Sequence, residues 1–433
     1  MSRKTDVLVL GSGGREHALA WKLSRSPGLG KLFCAPGSDA IAGHAACVRL
    51  DILDAPAVTG FCGHNGIGLV VVGPEAPLEA GVADALRREG VPVFGPGRDA
   101  ARLETSKVFA KDFMARHGIP TAGHRVASSA AAAKEALRTY PPDRYPVVLK
   151  ADGLAQGKGV RICEDRAEAL GAVDDFMESK SLGRAGETIV LEECLEGPEL
   201  SVMALVDGKS FSLLPFSRDH KRLGDGNTGP NTGGMGAFAP VAVDADLARR
   251  IEGEVLTRCI EGLARDGLDY RGVLYAGLML TVDGPKTLEF NCRFGDPEAQ
   301  AVLPLLQEDL LEVLLEVAGG NLSGRRVKSS GDACLCVVMA SEGYPNKPVV
   351  GQKIDGLEAA PDDGLMVFHS GTARSADGWI TKGGRVLGVT ASAPSLAGAR
   401  EKAYAGVSRI RFDGMQCRRD VGAGMTETSG ARR

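Results

Sequence analysis

The chain lacks any apolar run near the ~18 residues that a membrane-spanning helix needs. It lacks a targeting segment too. Met1-Ser2-Arg3-Lys4-Thr5-Asp6 runs straight into a short apolar stretch, and no signal peptide is expected. Charge of one sign is missing: 51 Lys and Arg stand against 55 Asp and Glu, a net charge of −4. No bulk field therefore favours nucleic acid or an anionic membrane, and neither is expected as a partner. An anionic substrate must be met by local cations. Ten cysteines are present, but no Cys-x-x-Cys and no Cys/His spacing of the zinc type. Cys334 and Cys336 would share one face of a strand, which is poor zinc geometry. Scattered thiols in a long chain read as small buried apolar residues of a reducing compartment, so a cytoplasmic protein is expected. No internal repeat is visible.

What the chain has in excess is glycine, 58 residues. Much of it clusters in loops beside apolar runs, where backbone can approach a ligand closely. At 433 residues and roughly 150 per domain, about three domains are expected. In the first, apolar runs at 7–10, 31–35, 69–72 and 92–94 alternate with helical patterns. That predicts a doubly wound parallel sheet, α/β in class. Gly11-Ser12-Gly13-Gly14-Arg15-Glu16 turns from strand into helix. The third glycine of a dinucleotide fingerprint would fall at Glu16, and no acidic residue is placed to grip a ribose, so the fingerprint match is weak. A phosphate at the helix N-terminus fits better, with Arg15 adding a full charge. A purely structural tight turn stays open. Glu75 ends a parallel strand, where a carboxylate could bind sugar hydroxyls or an amine, or be only a loop charge.

The pattern changes after about residue 103. A helix is predicted over 103–117, carrying Lys107 and Lys111, and an Ala-rich helix over 129–137. Strands at 145–150 and 160–163 flank Ala151-Asp152-Gly153-Leu154-Ala155-Gln156-Gly157-Lys158-Gly159. This is not a Walker loop, which runs from strand into helix. A mobile hairpin here could fold over a nucleotide's phosphates, with Lys150 and Lys158 as cations. A flexible hairpin with solvated lysines is the plain alternative. A strand at 188–191 leads into Glu192-Glu193-Cys194-Leu195. A meander follows over 200–216, then Ser217-Arg218-Asp219-His220-Lys221-Arg222 beside a glycine-rich loop at 224–236 that is too long and irregular for a turn. A helix over 246–264 precedes a hairpin of strands at 272–282 and 286–293. A further helical stretch, over 299–317, is broken near Pro304. Beyond a linker at 324–331, strands at 334–340, 366–370 and 385–391 and a helix over 397–410 make a small α+β module.

The second strand of the hairpin at 272–293 carries the richest polar pattern. In Leu288-Glu289-Phe290-Asn291-Cys292-Arg293-Phe294-Gly295-Asp296-Pro297-Glu298, alternation points Glu289, Asn291 and Arg293 one way and Phe290, Cys292 and Phe294 the other. A carboxylate and an amide oxygen at that spacing suit Mg2+, which takes one or two protein oxygens plus substrate phosphates. Arg293 could hold a carboxylate or a phosphoryl oxygen through paired hydrogen bonds. An ordinary amphipathic strand with a solvated face is the alternative.

Together these blocks resemble the ATP-grasp ligases. Gly11 to His17, Gly73-Pro74-Glu75-Ala76-Pro77-Leu78, Lys150-Ala151-Asp152-Gly153, Asp219-His220-Lys221-Arg222, Thr228 to Gly236 and Glu289 to Glu298 look like the phosphoribosylamine–glycine ligase family, over about residues 6–421. The resemblance implies a substrate domain at 1–103, an ATP-grasp domain at 104–328 with a mobile lid at about 122–195, and an α+β domain at 329–421. Residues 422–433 are expected to be a disordered tail, and with the chain ending there no fused downstream enzyme is expected. It also implies joining of glycine to 5-phosphoribosylamine at the expense of ATP. Such phosphoryl chemistry needs positioning and charge neutralisation rather than a protein nucleophile.

By resemblance, Glu289 and Asn291 bind Mg2+ or Mn2+. Lys107, Lys150 and Lys158 hold phosphates, Glu192, Glu193 and Leu195 border the adenine, and Glu199 meets the ribose. Arg293 faces glycine and the transferring phosphoryl, with Lys150 and Asp296 as the other catalytic candidates. Gly13, Gly14, Arg15, Glu16, Glu75, Asp219, His220, Lys221 and Asp296 are the candidates for the substrate side. A monomer acting on small molecules is expected. Three rival readings stand: an ATP-grasp ligase or carboxylase using bicarbonate, a nicotinamide oxidoreductase, and a non-catalytic nucleotide-binding module.

Overall fold

The computed structural model describes residues 4–154, 159–322, 324–357 and 364–424. β1 (Thr5–Gly11), β2 (Leu29–Pro36), β3 (Ala46–Cys47), β4 (Leu69–Val72) and β5 (Val93–Phe94) form one sheet in the order β3-β2-β1-β4-β5, every pair parallel. Val7 to Leu10 and Leu69 to Val72 are buried without a break. Helices cover both faces of such a sheet, so its strands are continuous apolar runs rather than alternating ones. Strand order reverses between β1 and β4, and the crevice beyond their C-terminal ends is where open sheets of this kind bind ligands. The helix N-terminus at Gly13–Glu16, a tight turn out of the strand, follows β1, and Glu75 follows β4.

The middle of the chain gives two antiparallel sheets. β6 (His124–Ala127), β7 (Val147–Ala151), β8 (Val160–Cys163) and β9 (Ile189–Glu193) pair in the order β6-β9-β7-β8. β10 (Glu199–Asp207) and β11 (Phe211–Leu213) precede four short strands: β12 (Arg218–Asp219), β13 (Arg222–Gly224), β14 (Thr228–Asn231) and β15 (Gly236–Ala239). The hairpin of β16 (Arg271–Thr281) and β17 (Gly284–Asn291) completes the sheet β11-β10-β16-β17.

The last part contributes β18 (Ala333–Ala340), β19 (Lys353–Ile354), β20 (Leu365–His369), β21 (Thr372–Ser375), β22 (Gly378–Thr381) and β23 (Arg385–Ala393). β12 and β15 from the middle join β18, β23 and β20 in one sheet, so the terminal module is sewn into the centre of the chain. The helix Leu396–Arg409 packs its apolar face on that sheet.

Two local expectations change. The single helix expected over 103–117 is two, Arg98–Thr105 and Lys107–Arg116. Ser106 separates them: its backbone is extended, and its hydroxyl accepts the Phe109 N–H at 3.1 Å as an N-cap. Lys107 therefore starts a helix instead of sitting inside one. The glycine-rich run at 224–236 is not loose either. Its first half is the β13–β14 hairpin, gripped by the buried Arg418, whose guanidinium donates to Asn227 Oδ1 at 2.8 Å and pairs with Asp420.

The helix Gly14–Leu23 docks on β20 through His17, whose Nδ1 accepts the His369 N–H at 2.9 Å. Burial is the main reason that His17 is lowered to about 3 and His369 to about 4. In the unfolded chain both titrate near ~6.5, so the unfolded state binds more protons below that pH. Stability from these groups is thus complete above about pH 6.5 and is lost as pH falls toward about 4. His17→Asn offers an amide oxygen to the same N–H without a titrating ring. Urea unfolding of this variant should show a smaller loss between about pH 7 and 4.5 than the parent shows. An equal loss in both proteins would remove His17 from the account.

Candidate active site

β17 supplies one wall of a cleft of about 790 Å³. Phe290, Cys292 and Phe294 are all but fully buried, while Glu289, Asn291 and Arg293 face the cleft. Burial works against the charge on Glu289, but Lys221, Lys150, Lys107 and Arg293 outweigh it and hold the carboxyl below its usual range. Arg293 donates from Nη2 to Asn291 Oδ1 at 3.0 Å. A guanidinium only donates, so the amide oxygen of Asn291, not its nitrogen, lies on that side. The donor set of one carboxylate and one amide oxygen fits a hard divalent cation that takes its remaining ligands from phosphate and water.

The opposite wall comes from the β6-β9-β7-β8 sheet and the helix Lys107–Arg116. Lys150 on β7 and Lys111 on the helix Lys107–Arg116 each pair with Glu192 Oε2 on β9 at 3.0 Å. All three side chains are buried, and Glu192 Oε1 has no partner. Lys150 also donates to the Leu288 carbonyl at 3.0 Å, linking this wall to β17. Burial lowers Lys111 to about 8, against the pull of Glu192. Lys107 donates to the Gly153 carbonyl at 3.1 Å; it too is lowered by burial, although Glu289 opposes the shift. Asp152 Oδ1 accepts the Val108 N–H at 3.2 Å and so caps the helix that carries both lysines. Glu193 lines the cleft at its rim, where its carboxylate accepts the Gly123 N–H at 2.9 Å. Leu195 and Cys194 line the cleft. Lys158 lies outside the described residues.

A third wall runs through β12 and the residues before β13. Lys221 pairs with Glu199 at 2.8 Å and lies 4.0 Å from Glu289. Burial opposes its charge, yet Glu199, Asp219 and Glu289 raise it well above the normal lysine range. Asp219 is pushed the other way from an ordinary carboxylate, well upward, first by burial and then by Glu298, Glu199 and Glu289. His220 is lowered to about 4 by burial and by Arg418, so it is a neutral imidazole at neutral pH, and its buried Nδ1 has no partner.

The turn after β1 adjoins the same cleft without lining it. Glu16 fills the turn: Oε2 accepts the Gly13 N–H at 2.6 Å and Oε1 pairs with Arg15 at 2.6 Å. A Cβ on Gly14 would come within 2.5 Å of Ser370 Oγ and 2.7 Å of Gln300 Nε2, which explains the glycine. Arg15 donates to the Phe294 carbonyl at 3.2 Å, tying turn and β17 end together. Asp296 accepts from Gln300 at 2.8 Å and pairs with Arg385 at 3.1 Å. Burial disfavours its charge, but Arg385 and Arg15 hold the carboxyl below the usual range. Glu75 lies 3.6 Å from Arg293 Nε.

Three family models divide the chain between them, all of phosphoribosylglycinamide synthetase: the N domain at residues 5–104, the ATP-grasp (A) domain at 105–299 and the C domain at 334–424. The chain belongs to the phosphoribosylglycinamide synthetase family. It is 47% identical to phosphoribosylamine–glycine ligase of Mesorhizobium japonicum, covering 96% of this chain and 97% of that protein. It is 48% identical to trifunctional purine biosynthetic protein adenosine-3 of Gallus gallus, over 96% of this chain but only 42% of that protein. The chain thus spans about two-fifths of the trifunctional relative and nearly all of the single-function one. The crystal structure of phosphoribosylamine–glycine ligase from Thermotoga maritima superposes with a TM-score of 0.83 at 35% identity, covering 96% of this chain and all of that one. The biotin carboxylase domain of a Hydrogenobacter thermophilus 2-oxoglutarate carboxylase shares the fold, with a TM-score of 0.73 at 17% identity over 96% of this chain and 92% of that one.

In this family member the cleft gathers Glu75, Lys107, Lys150, Glu192, Glu193, Leu195, Glu199, Asp219, His220, Lys221, Glu289, Asn291, Arg293 and Asp296. Gly13, Gly14, Arg15 and Glu16 stand beside it, joined through Arg15 and Asp296. Sequence reasoning passed over Lys111, Glu104, Glu298 and Arg385. The Lys107/Lys111 spacing of four was a usable signal, since such pairs share a helix face. Glu298 closes the block at 289–298, but its place is fixed by Tyr275 and Ser201, whose hydroxyls reach it from distant strands.

Glu192 holds two buried cations, so removing its charge strands both. Glu192→Leu should lower unfolding free energy by about 3–5 kcal/mol in urea titrations. A loss below about 1 kcal/mol would mean that the lysines find another counter-charge.

Proposed function

We propose that this cleft joins glycine to 5-phosphoribosylamine with ATP, through glycyl phosphate, giving glycinamide ribonucleotide, ADP and phosphate in de novo purine (IMP) biosynthesis. Phosphoribosylamine–glycine ligase is the name of the relatives that match the chain from end to end. One observation carries the reading. The segment from Glu289 to Asp296 faces a lysine-lined wall on one side and the Gly13–Glu16 turn on the other, with Arg293 between.

A carboxylate is a poor electrophile, so glycine must first be activated. A glycine carboxylate oxygen attacks the γ-phosphorus, the bond to the β,γ-bridging oxygen breaks, and ADP leaves with the electron pair. The sugar amine then attacks the acyl carbon, the C–O bond to phosphate breaks, and phosphate leaves. The amine's proton passes to a carboxylate at its side of the cleft, Glu75 or Asp296, both held ionised by neighbouring arginines. Lys107 and Lys150, with Lys158, hold the phosphates. The β9 end at Glu192, Glu193 and Leu195 borders adenine, and Glu199 meets ribose by exchanging its Lys221 partner. Arg293 binds the glycine carboxylate and the moving phosphoryl. Gly14 offers its backbone N–H, and Arg15 a charge, to the sugar phosphate, while Gly13, whose own N–H is held by Glu16, lets the backbone come close. Asp219, His220 and Lys221 close the substrate side. Glu289 and Asn291 would hold Mg2+ or Mn2+, which neutralises charge on the β- and γ-phosphates when bound.

The lid over about 122–195 closes on the nucleotide. The enzyme works as a monomer on small polar metabolites in the cytoplasm, with neither nucleic acid nor membrane as partner. Among the described residues no helix is long and apolar enough to cross a membrane.

Phosphate release with ATP and Mg2+ should require glycine and freshly made phosphoribosylamine together. Release that depends on bicarbonate and ignores glycine would overturn the reading. Two unit charges ~4 Å apart interact by roughly 4 kcal/mol at an effective dielectric of 20. Arg293→Ala should therefore cost on the order of a hundredfold or more in turnover.

A further inference from the structure

The guanidinium of Arg293 does not orient itself. The residue lies two positions beyond the end of β17, and a long side chain there can swing toward either of two carboxylates. Glu104, on the helix Arg98–Thr105, lies at the wall of the cleft with its side chain only 6% exposed. One carboxylate oxygen, Oε2, accepts the Cys292 N–H at 2.6 Å. The other, Oε1, pairs with Arg293 Nη2 at 2.8 Å. Glu104 thus grips the backbone just before Arg293 and the end of its side chain at once. The same Nη2 donates to Asn291 Oδ1, so the grip extends to the amide proposed as a metal ligand. Arg293 Nε is left buried, without a hydrogen-bond partner, 3.6 Å from Glu75.

We propose that Glu104 is a positioning residue: it pins Nη2 of Arg293 so that the unpartnered Nε–H stays free for the glycine carboxylate and does not collapse onto Glu75. This rests on the role of Arg293 given above. The physical reason for a carboxylate at 104 is directional. A carboxylate offers two oxygens, here to two donors from successive residues. A buried anion also keeps the arginine from being drawn into the cleft by Glu75 or Glu289 when substrates are absent. Burial raises the Glu104 carboxyl above its ordinary range, against the pull of the adjoining guanidinium. A permanently charged partner at 2.8 Å favours the ionised pair at neutral pH.

The test separates positioning from stability. Glu104→Gln keeps the size and one acceptor but loses the charge and the second acceptor. It should raise KM for glycine and lower kcat, each by roughly tenfold, with KM for ATP within about twofold. Glu104→Asp keeps the charge with a shorter reach and should recover part of both. Adding Glu104→Gln to Arg293→Ala should cost no further activity, because the residue it positions is already gone. It should also return some melting temperature, because Arg293→Ala alone leaves Glu104 buried and unpaired. Unchanged glycine parameters in Glu104→Gln, equal rises in both KM values, or additive losses in the double variant would overturn the proposal. If Glu104→Gln alone does not fold, the double variant and Glu104→Asp decide it by the same criteria. If Arg293→Ala itself keeps full turnover and glycine affinity, the fault lies with the role of Arg293 instead.

Discussion

The cleft depends on how its cations are held before any substrate arrives. Lys107, Lys150, Lys221 and Arg293 converge on Glu289, and each has a second partner: a carbonyl for Lys107, Glu192 for Lys150, Glu199 for Lys221, Glu104 for Arg293. Without these partners, mutual repulsion would push the lysines outward, and the site would have to be rebuilt at each turnover. With them, the cations stay gathered on one cleft, at the price of a shell of buried carboxylates. Electrostatic preorganisation of this kind supplies much of the catalysis in phosphoryl transfer, where the protein contributes no covalent chemistry.

The frame that keeps this balance is assembled from all three parts of the chain. The reversal of strand order between β1 and β4 places the Gly13–Glu16 turn and Glu75 side by side. Arg15 then reaches the Phe294 carbonyl, and Arg385 on β23 reaches Asp296. A displacement in any one part would be felt at the end of β17. The β6-β9-β7-β8 sheet is tied to this frame through Lys150 to Leu288, Glu192 to Lys111, Lys107 to Gly153 and Asp152 to Val108.

Much of this was legible in the residues. Period-two alternation on β17 sorted Glu289, Asn291 and Arg293 from Phe290, Cys292 and Phe294, because one face meets a core and the other does not. The parallel sheet followed from apolar runs alternating with helices. What stayed hidden depends on contacts distant in sequence. Nothing local says that β12 and β15 will complete a sheet with β18, since two- and four-residue strands carry almost no pattern. Ser106 was overlooked as a cap because the apolar periodicity of two helices runs on across it. Glu104 looks like any exposed helix acid until the fold brings the Cys292 N–H to it from 188 residues away.

The order of bond making is the centre of the account, and an isotope tests it directly. Glycine carrying 18O in both carboxylate oxygens, turned over with unlabelled ATP and phosphoribosylamine, should place one 18O atom in each phosphate released and retain the other in the amide product. Phosphate free of 18O would contradict a glycyl phosphate route, and with it the placing of Arg293 between the glycine carboxylate and the phosphoryl group.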